Sequence, residues 1–345
     1  MTEQQWETLL AVIHGEDIRP VPTGFIIDSP WIPNWAGYSI LDYFTRPDVW
    51  FNTNLQAMKT FPGTMFLPGF WSEYGMCTEP SAFGAISTWE ENEFPFAKPV
   101  LKTPDDVARL DMPNPKKDGL LPFVIKRLRD FQPEMEKAGH KIRFAVARGP
   151  LNIASFLMGS TEFLMALKME RDKMEQLLTI VSDFLVEWIQ YQKECFPSID
   201  GILLLDDIVG FISRRDFQKF GLFYLKKVYD SLDVSVKFFH NDSPCKASAP
   251  YLAEVGINLL NFGIQHTLSE MKAWTDNQIT LLGNLPPRDV LAIGTAEDVK
   301  KTTREMIEAL DDARNIIFSC GGGMPPDVTT ENIEAFLHTV EELTT

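Results

Sequence analysis

The sequence has no run of roughly 18 apolar residues, so no segment is expected to cross a bilayer as a helix. Its start, MTEQQWETLL, lacks the basic segment and apolar core of a secretory leader, and a cytoplasmic chain is expected. Cysteine is scarce, with only Cys77, Cys195, Cys245 and Cys320 and no paired spacing among them. Disulfides are therefore not expected, and a cysteine that matters would act as a thiolate. Positive charge is also short. Against 48 Asp and Glu stand 32 Lys and Arg, a formal net charge of −16 in 345 residues. That balance disfavours nucleic acid and anionic membrane as partners, since both need a positive face. No G-x-G-x-x-G follows the first apolar run, so a dinucleotide fold has no support from its fingerprint. Internal repeats, low-complexity tracts and Pro/Gly-rich linkers are missing too, which points to one domain over residues 1–345.

What the chain does contain is an alternation. Hydrophobic residues make up 45% of it, enough for a sizeable core. Short β-rich apolar runs at 24–28, 64–68, 142–147, 201–206, 235–240, 259–262, 279–283 and 316–319 read as strands. Amphipathic stretches of helical period lie between them, among them 120–137, 161–196, 215–232, 296–310 and 330–343. Thr295 with Glu297 and Asp298 supplies a helix start, as do Thr329 or Thr330 with Glu331. Alternating strand and helix implies a parallel sheet, and eight units in this length favour an α/β protein of the (β/α)8 TIM-barrel class. The residues before the first strand form an N-terminal helical extension. The Pro-rich segment 20–34 and the aromatic segment 61–96 read as long loops over one barrel face.

In such a barrel, chemistry collects at the carboxyl ends of the strands. Four late strands end in polar or conformationally permissive groups: Asp206-Asp207, His240-Asn241-Asp242, Gly283-Asn284, and Cys320 followed by three glycines. Each has a structural explanation by itself, as a helix cap, a bonded histidine, a buried thiol or a tight turn. Together they imply a site. His240 and Asp242 are two apart and so share a face. A barrel brings the Cys320 strand end to the same rim. Imidazole, carboxylate and thiolate can hold a zinc ion with one position open to substrate, where it would act as a Lewis acid. Above this rim the N-terminal segments carry Trp31, Trp35, Tyr38, Phe51, Phe66, Phe70, Trp71, Tyr74 and Trp89. They either pack the barrel's lid or form a flat apolar pocket for an aromatic ring.

Several stretches resemble the uroporphyrinogen decarboxylase superfamily. They are RGPLNIASFLMGSTEFLMAL at 148–167, HNDSPCKASAPYLAEVGINLLNFG at 240–263, and the C-terminal GNLPPRDVLAIGTAEDVKKTTREMIEAL with NIIFSCGGGMPPDVTTENIEAF. The resemblance covers most of the chain and implies a (β/α)8 barrel. Decarboxylases of this superfamily carry M-R-Q-A-G-R-Y near the N-terminus, whose arginines meet the porphyrinogen carboxylates. This chain has PTGFIIDSPWIPNWAGYS there, without an arginine, and a glycine triplet where the family has G-H-G. A polycarboxylate needs several cationic partners, so decarboxylation of a porphyrinogen is not expected.

The other branch, corrinoid-dependent methyltransferases, is marked by H-x-C after the fifth strand and a later cysteine in a glycine-rich loop. This chain has His240 and Cys320, with Asp242 in place of the first thiolate and Cys320 about two places early. What the resemblance implies is a zinc site of His240, Cys320 and a carboxylate from Asp242, Asp206 or Glu73. It implies also a methyl acceptor, the corrinoid (cobalamin) cofactor of a separate corrinoid protein, as in anaerobic bacteria. Glu73 matches the position of the decarboxylases' catalytic Asp. With the aromatic segments, the resemblance suggests a small phenyl methyl ether as methyl donor, bound by Trp31, Phe70, Trp71, Tyr74 and Asn284. The ether oxygen would meet zinc or a hydrogen bond from a nearby acid, with Asp206 and Asn284 as orienters. The competing readings are a decarboxylase of a less charged tetrapyrrole and a non-catalytic barrel that binds an aromatic or a corrinoid.

Overall fold

The structure, a computed structural model, describes residues 1–27 and 30–345. All eight expected strands are present, each within two residues of its expected ends. They are β1 (Gly24–Ile26), β2 (Met65–Leu67), β5 (Phe144–Arg148), β6 (Gly201–Leu205), β7 (Val236–Asn241), β8 (Leu259–Phe262), β9 (Thr280–Leu285) and β10 (Ile316–Cys320). Asp28, the last residue of the first expected strand, lies outside the described residues. A short antiparallel pair, β3 (Ser87–Thr88) and β4 (Phe96–Ala97), stands apart from the rest.

Strands β5 to β10 form a six-stranded parallel sheet in sequential order, and β1 pairs in parallel with β2. Parallel bridges Thr23–Phe318 and Ile26–Gly323 tie β1 to β10. The architecture is thus TIM-barrel-like, but among the described residues no ladder joins β2 to β5, so hydrogen bonds do not close the ring. Helices follow each of the eight strands. Their apolar faces pack on the outside of the sheet because a parallel sheet must be covered on both sides.

The pleat divides the strand residues into two layers. Ile26, Met65, Leu67, Phe144, Leu203, Val236, Phe238, Leu259, Leu282 and Ile317 belong to an inner cluster. Phe25, Ala145, Ile202, Leu204, Phe239, Leu260, Phe262, Leu281, Ile316, Phe318 and Cys320 belong to the outer layer against the helices. The N-terminal extension is a helix, Glu3–Ile13, started by a Thr2–Gln5 capping box. Its Trp6, Leu9 and Val12 join the inner cluster, with Trp6 edge-on to Phe144 at 5.5 Å. Asn315, just before β10, donates to the Val12 carbonyl at 3.2 Å. The helix therefore plugs the amino-terminal end of the lumen and leaves the carboxyl end for chemistry.

The two segments expected as loops are largely irregular, but each holds a short helix, the start of Trp31–Ala36 in the first and Thr78–Ala82 in the second. Between them the chain forms two further helices, Ile40–Thr45 and Pro47–Thr60, for which no element was expected. The aromatic side chains of this region chiefly pack against one another. Trp31 stacks on Trp35 at 5.2 Å and on Phe66 at 6.1 Å, and Phe51 stacks between Phe70 and Phe131 at 5.4 and 4.9 Å. Burying a large ring in the core gains about 2 kcal/mol or more, which an exposed lid would forgo.

Candidate active site

Strand β7 supplies the site's centre. Val236 and Phe238 face the lumen, so His240 does as well, because side chains alternate with period two. Asn261 sits opposite it on β8 in register. The Asn261 amide donates to the Leu282 carbonyl at 2.8 Å and faces the Cys320 carbonyl at 3.4 Å, which turns its oxygen toward the imidazole. That oxygen lies 2.8 Å from His240 Nδ1, so Nδ1 carries a proton and Nε2 is the pocket-facing nitrogen. Nε2 stands 3.5 Å from an Asp242 carboxylate oxygen. Asp242 lies one residue beyond the end of β7, and this contact sets it on the same side as His240.

Burial acts against a charged His240, but Asp242, Asp207 and the Asn261 bond outweigh it and raise the imidazole to about 9. For Asp242, burial favours the neutral acid and the neighbouring imidazolium outweighs it, holding the carboxyl below its usual range. The Asp242 backbone N–H donates to Asp207 Oδ1 at 2.7 Å, which pins the strand end. Gly322, at φ +89°, lies against Asp242, and a Cβ there would run into the carboxylate. The glycine triplet thus lets the last loop close over the strand end.

A cavity of about 270 Å³ opens beside this pair. Ile26, Leu205, Met324 and Pro30, Pro287, Pro325 and Pro326 form its apolar wall, and among the described residues His240, Asp242 and Arg288 are its ionisable groups. Gly321 and Gly323 complete it. Every wall is a strand's carboxyl end or the segment just after one, the side on which barrels of this kind place their sites.

The structure corrects several sequence expectations. Cys320 has the phase of Ile316 and Phe318 and lies in the outer layer, fully buried, whereas Ser319 and Ile317 have the lumen-facing phase. Its thiol donates to the Gly322 carbonyl at 3.3 Å. It therefore does not share a face with His240. An open zinc site needs three converging protein donors, and among the described residues no three His, Cys, Asp or Glu side chains converge. His240 and Asp242 supply two donors, so this donor set does not fit such an ion.

Asp206 is also elsewhere. It is fully buried, and its two oxygens accept from the backbone N–H groups of Leu151 and Asn152 at 2.8 and 3.1 Å, at the start of the helix Pro150–Met158. Burial pushes its carboxyl up to about 8 against those bonds. Its contacts are those of a helix cap reached from a neighbouring strand.

Glu73 forms a buried ion pair with Arg148, the last residue of β5, at 2.7 Å. Glu79 accepts from the Arg148 backbone N–H at 3.2 Å. This charged cluster belongs to the seam near Trp71, whose ring lies 6.0 Å from the Arg148 guanidinium. None of the aromatic residues expected to bind substrate lines the His240 cavity. Trp31 donates its indole N–H to the Val328 carbonyl at 3.1 Å, Phe70 and Trp71 border a narrow crevice at the seam, and Tyr74 lies under Arg127 at 4.5 Å. Asn284 donates to the His266 carbonyl at 2.6 Å and borders a different cavity. Trp31, Phe70 and Tyr74 pack against neighbouring rings and Trp71 against Arg148, contacts that sequence cannot separate from stacking on a ligand.

Asn261 and Arg288 were missed. The first could have been found as a polar residue inside the apolar run LLNF, and the second as the cation that follows the Pro-Pro at the end of β9.

With this geometry in hand, comparison with known proteins places the chain. Residues 4–343 match the family described as "Uroporphyrinogen decarboxylase (URO-D)", and the chain belongs to that family. It is 24% identical over 279 residues to the uroporphyrinogen decarboxylase of Psychromonas ingrahamii, covering 77% of this chain and 76% of that one. To the enzyme of the same name from Cellvibrio japonicus it is 22% identical over 312 residues, 87% of this chain and 84% of the other. Among solved structures it resembles a methyltransferase from Methanosarcina mazei, with a TM-score of 0.81 over 98% of both chains at 20% identity. That likeness is one of fold.

Proposed function

We propose that the chain is a methyltransferase that removes the methyl group from a small ether, of the phenyl methyl ether type, and passes it to the cobalt(I) of a corrinoid held by a partner protein. The observation that carries this reading is the arrangement at the cavity. A buried imidazole, fixed through Nδ1 by Asn261, turns Nε2 toward a small, largely apolar space. A space of about 270 Å³ suits one ring with a short substituent and is small for a tetrapyrrole. The methyltransferase among the fold neighbours supports the same reaction class.

In this reading His240 is the acid. Its Nε2–H donates to the ether oxygen, and the apolar wall holds the ring against Ile26, Leu205 and Met324. The O–CH3 bond breaks with its electron pair left on oxygen. The new bond to carbon uses the electron pair of cobalt(I), which becomes formally cobalt(III). The phenolate takes the Nε2 proton and leaves as a phenol. Asp242 stabilises the imidazolium before transfer, and Asn261 keeps the ring in the productive orientation.

Incubation with methoxybenzene and a cobalt(I) corrinoid protein, followed by an assay for phenol, tests the reading. Phenol and methylcobalt should form in equal amounts. Their absence with every small methyl ether tried would refute it. Metal analysis of the purified protein is the companion measurement. One tightly held zinc per chain would contradict the two-donor site described above and the acid role of His240 with it.

A further inference from the structure

Arg288 has no part in the step just described, yet it faces the same cavity. It follows β9 in Leu285-Pro286-Pro287-Arg288, so the two prolines fix the direction in which the chain leaves the strand. No side-chain hydrogen bond or ion pair engages its guanidinium among the described residues, although the chain carries 48 acids against 32 bases. The cavity's carboxylate, Asp242, is already turned toward His240 Nε2 at 3.5 Å. The nearby Asp207 spends Oδ1 on the Asp242 backbone N–H. Among the described residues, a planar cation with five donors therefore borders a largely apolar space without an anion to meet it.

We propose that Arg288 is a specificity residue that receives a carboxylate on the ring of the methyl donor. Resting on the methyltransferase reading, this narrows the substrate class to single-ring methyl ethers bearing one carboxylate, of the methoxybenzoate kind. The ring spans the apolar wall, the carboxylate meets Arg288 at one edge, and the ether oxygen reaches His240 at the other. A guanidinium grips a carboxylate through two parallel bonds, which sets the ring's direction as well as its affinity.

Equilibrium binding separates this inference from the reaction on which it rests, because it needs neither corrinoid nor turnover. Dissociation constants for 4-methoxybenzoate and for methoxybenzene are measured by calorimetry with the wild-type chain, Arg288→Gln and Arg288→Lys. The wild type should bind the carboxylate about tenfold more tightly than the neutral ether. That ratio should fall to near one in Arg288→Gln and recover in part in Arg288→Lys, which keeps charge without the fork. Arg288 is exposed, so both variants should fold as the wild type does. A wild-type ratio near one, or a ratio unchanged in Arg288→Gln, would overturn the assignment. Carboxylate-selective binding with no phenol from any ether would retain Arg288's role and reject methyl transfer instead.

Discussion

At the scale of single residues, the proposed chemistry turns on His240 and its charge. An imidazole raised from 6.5 to about 9 in the folded chain stabilises the fold fully below about pH 6.5. That contribution is lost as the pH rises through 9, because the folded state then gives up a proton that the unfolded state has already lost. The same titration removes the acid. Activity on a neutral ether should therefore hold through neutrality and fall above about pH 9, in step with the imidazole's NMR titration. An imidazole that titrates near 6 would show that Asp242 and Asn261 do not hold the charge. The sequence made the pairing of 240 with 242 legible through the strand's period of two. Asn261 was not, because its role depends on register between strands, and register comes only with the sheet.

Among elements, strand phase decides what each end offers. In Ile316–Cys320 the alternation sets Ile317 and Ser319 inward and Ile316, Phe318 and Cys320 outward. The sequence shows that these two sets face opposite ways, but not which of them faces the lumen. A strand end has two sides, and Cys320 and His240 lie on different ones. Cys320→Ala should therefore cost about 1 kcal/mol of stability, as loss of a buried small side chain does, with phenol formation unchanged. Loss of bound metal together with activity would return the thiol to the site. The helical segment Pro47–Thr60 teaches the same lesson for aromatics. Val49, Trp50, Thr53, Asn54 and Ala57 are buried at helical spacing, a period that was available in the sequence and was obscured by the density of rings around it. All eight strands were legible because their apolar runs are short, β-rich and separated by amphipathic stretches.

For the whole molecule, outer helices are tied together by a charge cluster remote from the site. Asp216 bonds to Lys168 and Ser213 and meets Arg171 at 3.0 Å, joining the helix Ser160–Met169 and the start of Arg171–Cys195 to the segment Arg214–Asp216. Desolvation raises its carboxyl, but the bonds from Lys168, Ser213 and Arg171 outweigh that and hold it at about 2. A depressed acid stabilises the fold above its ordinary value near 3.8 and loses that contribution as the pH falls through 2. Between pH 4 and 2, the melting temperature should drop more steeply in the wild type than in Asp216→Asn. Parallel curves would mean that the cluster is not formed.

The central claim joins these scales: a plugged barrel-like fold presents one oriented imidazole to a small ether. Its most direct test follows a methyl-labelled methoxybenzene in a single turnover with a cobalt(I) corrinoid protein, comparing wild type with His240→Ala. The account predicts label on cobalt and free phenol in equal amounts for the wild type, and loss of both in the variant. Label transfer that survives in His240→Ala, or no transfer by a folded wild-type chain, would contradict it.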